Sequence, residues 1–175
     1  MGQRIVFGSK MKYAKIKDRE LHRIVSTAII HKDGKYLITK RSLSKKVFPG
    51  MWTVPGGGMA IDDYVNEKPN KDKVWYFSLE KSLRREVSEE VNLEIGKIDY
   101  LLDLTLIRPD NIPVITFSFY APWKKGKVQI SDESVEYAWV SRNEAKKYNL
   151  IAGIREEIYM VDDILNGQKP KNYFK

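Results

Sequence analysis

No cysteine occurs in the 175 residues, which excludes disulfides, thiolate metal sites and a cysteine nucleophile. No apolar run approaches the ~18 residues of a membrane-spanning helix. The first thirty residues hold no apolar h-region, so a secretory signal is not expected. Gly2 follows the initiator, but Val6 stands where a myristoylation motif wants Ser or Thr. There is no internal repeat, low-complexity tract or interior linker. The length suits one domain, and the 42% hydrophobic fraction is enough for a sizeable core. A cytoplasmic globular protein with no membrane partner is expected.

Charge is unevenly placed. Lys and Arg number 31 against 23 Asp and Glu, a net +8. Residues 1–17 carry five basic groups and no acid, and residues 166–175 carry three and no acid. The remaining body is neutral. The ends therefore read as solvated basic segments, and nucleic acid is not expected as a partner. The organisation is a basic N-terminal extension over 1–21, a domain over 22–165, and a basic C-terminal tail over 166–175.

Within the domain, residues 23–31 and 36–41 are β-branched apolar runs separated by a segment containing Asp33-Gly34, the signature of a hairpin. Trp52-Thr53-Val54 reads as a brief strand, and Gly56-Gly57-Gly58 as backbone freed for geometry that side chains would block. Residues 60–77 read as a long polar loop. Ser78 is an expected N-cap, Leu83, Val87 and Val91 recur at helical spacing, and Asn92 suits a left-handed stop, which predicts a helix over 79–91. Strands follow around 97–107, 112–121 and 137–140. Ser141 and Glu144 form a capping-box pattern, and a last helix is predicted over 151–165. Turn-linked strands with few helices predict a mixed α+β domain.

The segment Arg85-Glu86-Val87-Ser88-Glu89-Glu90 carries the most chemistry. At about 100° per residue, Glu86, Glu89 and Glu90 fall on one helix face, beside the apolar stripe. Three carboxylates about 5–6 Å apart repel by about 3 kcal/mol per pair at an effective dielectric near 20. Hard oxygens gathered in this way suit magnesium or manganese. The alternative is a solvated acidic face with Arg85 and Glu89 paired one turn apart.

The surroundings resemble the Nudix hydrolase superfamily, whose signature reads G-x5-E-x7-R-E-U-x-E-E-x-G-U, with U a bulky aliphatic residue. Arg85-Glu86-Val87-Ser88-Glu89-Glu90-Val91-Asn92-Leu93 matches its second half with Asn92 in place of Gly. Trp52-Thr53-Val54-Pro55-Gly56-Gly57 resembles the strand and Gly-Gly turn that lead into it, and Glu133 to Val140 its acidic loop and Trp-Val strand. The spacing departs: Gly57 to Arg85 is 28 positions, about 14 more than the family's pattern. Counted back from Arg85, the first signature Glu falls on Phe77, which cannot bind a metal.

The resemblance implies an α/β/α sandwich with a mixed central sheet. It also implies metal-dependent hydrolysis of a diphosphate linkage in a nucleoside diphosphate derivative, whether nucleotide, nucleotide sugar or ADP-ribose type. It assigns Glu86, Glu89 and Glu90 as ligands for Mg2+ or Mn2+, with the Gly57 carbonyl as a further ligand and Arg85 orienting the glutamates. Glu86 and Glu89, with Arg85, form the expected catalytic group, and Glu133 is preferred to Glu136 as the acid supplied late in the chain. Arg41 is a candidate for phosphate, Trp52, Phe117 and Phe119 for base stacking, and Tyr64, Trp75 and Tyr76 for a lid. The partner is then a small nucleotide-type molecule, with a homodimer left open. The alternative is a Nudix-fold protein that binds nucleotide or RNA without hydrolysing it.

Overall fold

The computed structural model describes residues 20–174; the 1–21 extension falls almost wholly outside them. Eight strands, β1 (Arg23–Lys32), β2 (Lys35–Arg41), β3 (Trp52–Thr53), β4 (Gly56–Gly58), β5 (Glu94–Ile95), β6 (Asp99–Ile107), β7 (Pro113–Lys125) and β8 (Ser134–Val140), form one sheet. Three helices accompany them: α1 (Asp62–Val65), α2 (Ser78–Val91) and α3 (Ile154–Leu165). β1 and β7 run parallel, while the remaining neighbours are antiparallel, so the sheet is mixed.

Strand alternation sends successive side chains to opposite faces, and the two faces carry separate cores. Ala28, Ile30 and Leu37 pack with Leu83, Val87 and Val91 of α2. Ile29, Tyr36 and Ile38 pack with Ile154, Ile158 and Val161 of α3. Both faces of β1 and β2 are therefore covered, which is why they read as near-continuous apolar runs. The result is the expected helix–sheet–helix sandwich.

Where the sheet opens, the site forms. β1 pairs with β2 only near its end, His31 opposite Tyr36, whereas its first half pairs with β4, Val25 opposite Gly58 and Thr27 opposite Gly56. The three glycines are thus a strand, not the turn expected of them. At Gly56, φ is +146° and a Cβ would lie 2.2 Å from the Ser26 carbonyl oxygen, so this pairing requires glycine.

Three local expectations change. Ser78 is the first helical residue of α2, and its hydroxyl donates to the Trp75 carbonyl at 3.4 Å; the cap position belongs to Phe77, in the left-handed region at φ 62°. α3 begins at Ile154 instead of residue 151, because Gly153 at φ +96° breaks the helical path. The C-terminal tail is largely exposed, as expected, but fastened at one point: the Tyr173 hydroxyl donates to Asp163 and accepts from Arg142, both at 2.6 Å. Other features hold. Asn92 ends α2 at φ 55°, and Ser141 and Glu144 cap each other as a box ahead of a 3-10 turn over Glu144–Lys147.

Candidate active site

α2 is seated on the sheet by Leu83, Val87 and Val91, all fully buried. That seating fixes the direction of the acids one helical position away. Glu86 and Glu90, one turn apart, face β4. The Gly56 N–H donates to Glu90 Oε2 at 2.9 Å. A Cβ on Gly57 would lie 2.4 Å from the Glu86 carboxyl carbon, so β4 and this carboxylate touch only because position 57 has no side chain.

Glu86, Glu90 and Glu133 line one cavity of about 830 Å³, together with the β4 glycines. Burial, then the charges of Glu86 and Glu133, push Glu90 up to about 7, against the pull of the Gly56 N–H and of Arg41. Negative charge is therefore gathered where α2 meets β4, and cationic side chains border the same cavity. Arg23, Arg41, Lys45, Lys46 and Arg108 all border it. Lys45 pairs with Glu133 at 2.9 Å, and Arg41 Nε donates to the Val47 carbonyl at 3.0 Å. Oxygen donors under mutual repulsion, with no sulfur or imidazole among them, fit a hard divalent cation.

The third helix acid stands apart. Glu89 is 61% exposed and bound to Arg85 Nη1 at 2.7 Å, outside the cavity. Among the described residues no three acid or histidine side chains are gathered closely enough to form a metal cluster as they stand. The single-face reading of the helix is too coarse: Glu86 and Glu90 point along β4, and the guanidinium draws Glu89 away.

Arg85 is the hub of this arrangement. Besides Glu89 it reaches Glu86 Oε1 at 2.8 Å and Asp63 Oδ1 at 2.6 Å. Its own pKa is held well above the ordinary value, chiefly by Asp63. Asp63 is 4% exposed. Burial opposes its charge, yet the Arg85 guanidinium, the Ala60 N–H at 2.8 Å and Ser82 hold its carboxyl below the usual range.

Sequence reading missed Asp63, although the signal was present. Asp63 lies six positions after Gly57, the G-x5-acid spacing of the signature. Counting back from Arg85 crosses the inserted residues and lands on Phe77, which instead caps α2. The extra residues thus follow the acid, over 64–77, and the loop half of the signature is intact with Asp for Glu.

Other candidates are relocated. Trp52 is core, 7% exposed and edge-on to Tyr148 at 4.8 Å, so it cannot stack a base in the cavity. Glu136 pairs with Lys40 across β8 and β2 at 3.3 Å, away from the cavity. Phe117 and Phe119 alternate with the cavity-lining residues Val114 and Thr116 and so point to the other face of β7. Of the residues expected in a lid, Tyr64 and Trp75 pack on each other at 5.3 Å beside another cleft and Tyr76 is exposed, and none of the three lines the cavity. Glu157, which sequence reading left in the last helix without a task, borders the cavity from α3.

Comparison with known proteins agrees with this geometry. A family model described as NUDIX domain matches residues 20–160. A protein of Escherichia coli strain K12 named nucleoside triphosphatase NudI is 27% identical over 142 residues, covering 78% of this chain and 94% of its own. The crystal structure of a MutT protein from Methanosarcina mazei Go1 superposes with a TM-score of 0.61 at 25% identity, covering 84% of this chain and 96% of that one. The NUDIX domain of Shewanella oneidensis NrtR, solved with ADP ribose, shares the fold with a TM-score of 0.64 at 19% identity, over 86% and 94% of the two chains. With the family match extending over most of the chain and the signature complete from Gly57 through Asp63 to Glu90, this chain belongs to the Nudix hydrolase family.

Proposed function

We propose that the chain hydrolyses a diphosphate linkage in a nucleoside diphosphate derivative, with magnesium or manganese as cofactor. The observation that carries this reading is the meeting of α2 with β4. There a glycine strand brings backbone amides and two glutamates to the mouth of a cavity rimmed with cations.

Glu86, Glu90 and Glu133, with the Gly57 carbonyl, would hold the metal. When bound, it supplies charge neutralisation at the phosphates and activation of water. The protein's own groups position and orient. The Gly56 N–H fixes Glu90 Oε2. Arg85, clamped from behind by Asp63, holds Glu86 in register with β4. Glu89 acts on the Arg85 guanidinium and sets its orientation. Arg23, Arg41 and Lys46 draw the polyphosphate into the cavity, an effect that weakens with salt.

The test is a panel of nucleoside triphosphates, nucleotide sugars and ADP-ribose with magnesium or manganese. Glu86→Gln and Glu90→Gln are expected to reduce turnover by about 100-fold or more with the fold retained. Full activity in the double variant overturns the site. Tight nucleotide binding without turnover in the unaltered protein favours the non-catalytic alternative.

A further inference from the structure

Glu157 borders the cavity but has no task in the hydrolytic reading. It lies in the first turns of α3, is 3% exposed, and accepts from the Ser118 hydroxyl through Oε2 at 2.5 Å. Among the described residues no cation pairs with it; the charged neighbour that acts on it is another acid, Glu156. Its second oxygen, Oε1, turns towards Gly153 and accepts no hydrogen bond within the described protein. Val25, Leu104, Val114 and Ile154 give the same cavity apolar wall. A buried carboxylate without a cation costs several kcal/mol, and an aliphatic side chain of similar volume would pack here without that cost. Apolar walls with a few placed polar groups, here Glu157 with Thr27 and Thr116, are the form of a specificity pocket.

The sheet register gives the distance from the phosphate end. Thr27 of β1 pairs with Gly56 on one side and with Ser118 on the other. Gly56 and Ser118 are thus two strand spacings apart, about 10 Å, which leaves room for a nucleoside between the acidic mouth and Glu157. An ionised carboxylate is acceptor-only, and its two oxygens match two adjacent N–H donors. Guanine presents such an edge, its imino N–H beside its amino group. Adenine and cytosine place an acceptor next to their amino groups, and uracil flanks its N–H with carbonyls.

We infer that Glu157, held by Ser118, is the specificity-determining residue of the cavity and accepts hydrogen bonds from the imino and amino groups of a guanine base. The inference rests on the nucleotide reading above. Burial pushes the Glu157 carboxyl up to about 7, against the pull of Ser118, so its acceptor-only form is the one present at pH 8.

The experiment is calorimetric titration at pH 8 with guanosine, inosine, adenosine and uridine monophosphates, which contain no diphosphate linkage to cleave. Guanosine monophosphate is expected to bind about tenfold or more tightly than inosine monophosphate, which lacks the amino group. Glu157→Gln should erase that preference and leave uridine monophosphate within about twofold. If Glu157→Gln does not fold, Glu157→Leu tests the same loss. Equal affinity for the four bases, no detectable binding, or a uniform loss in the variant each overturns the assignment. Guanine preference without turnover of any triphosphate removes the hydrolase reading alone, and turnover without base preference removes this one alone.

Discussion

A methyl group at position 57 would sit 2.4 Å from the Glu86 carboxyl carbon, well inside van der Waals contact. β4 is held by its pairing with β1, so what yields is the Glu86 carboxylate, the far end of a flexible side chain. Gly57→Ala is therefore expected to lower kcat by about 100-fold, the cost of displacing a catalytic group by about 1 Å, while the melting temperature changes little. Steady-state kinetics beside a thermal melt checks this. The glycine run and the Glu pair were both legible in the sequence; their contact was not, because it joins residues 29 positions apart through the seating of a helix. Glu157 yields a second prediction. Its folded pKa, about 7, lies above the ordinary 4.5, so the folded state holds its proton more tightly. Stability is then lost as pH rises from 4.5 to about 7, and the full cost, about 3 kcal/mol, applies above that. Glu157→Gln should be more stable than the unaltered protein by up to this amount at pH 8 and nearly equal to it at pH 4. Equal urea midpoints at pH 8 would contradict the burial argument.

The inserted segment is an element whose sequence suggested a cover and whose packing shows a buttress. Tyr64 and Trp75 pack on each other and neither lines the cavity, and Trp75 Nε1 donates to the Glu67 carbonyl at 3.0 Å. The segment's connection to the site runs through Asp63, the residue before the extra length, which shares the Arg85 guanidinium with Glu86. Loops are read by polarity and length, and neither quantity says where a loop's one buried acid will go. Trp75→Ala is accordingly expected to lower the melting temperature and leave kcat/KM within about twofold, since it removes packing but no contact to the cavity. Asp63→Ala should do both kinds of damage. Breaking a largely buried ion pair costs about 3 kcal/mol, and Arg85, released, no longer fixes Glu86, so kcat should fall by about tenfold or more. A lid would reverse the pattern, with Trp75→Ala raising KM and Asp63→Ala close to silent.

Across the molecule, alternation in β1 and β2 and the helical stripes at Leu83, Val87, Val91 and Ile154, Ile158, Val161 were enough to place both cores, because burial repeats with backbone period. The ends were less legible. Counting charge made residues 166–175 a solvated basic tail, but what fastens its described part is a neutral side chain, Tyr173, reaching Asp163 on α3. Arg142, after β8, bonds Asp163 at 2.6 Å and Asp162 at 3.1 Å, while Tyr36 of β2 reaches Asp162 at 2.8 Å and Tyr173 completes the group from the tail. Four parts of the chain thus meet around one guanidinium. The Tyr173 hydroxyl, ahead of Arg142 and against the effect of burial, holds the Asp163 carboxyl below its ordinary 3.8. A depressed acid stabilises the fold at pH values above 3.8, and that stability is lost as pH falls below it. Tyr173→Phe removes the hydroxyl and keeps the ring on Tyr159, so it isolates the hydrogen bonds from the packing. It is expected to cost about 1–3 kcal/mol in urea unfolding at pH 7, with the difference from the unaltered protein shrinking at pH 3, below the ordinary 3.8 at which the unfolded chain's carboxylate takes up its proton. A deficit that is the same at the two pH values would assign the hydroxyl's contribution to the bond it accepts from Arg142 and not to the Asp163 carboxylate.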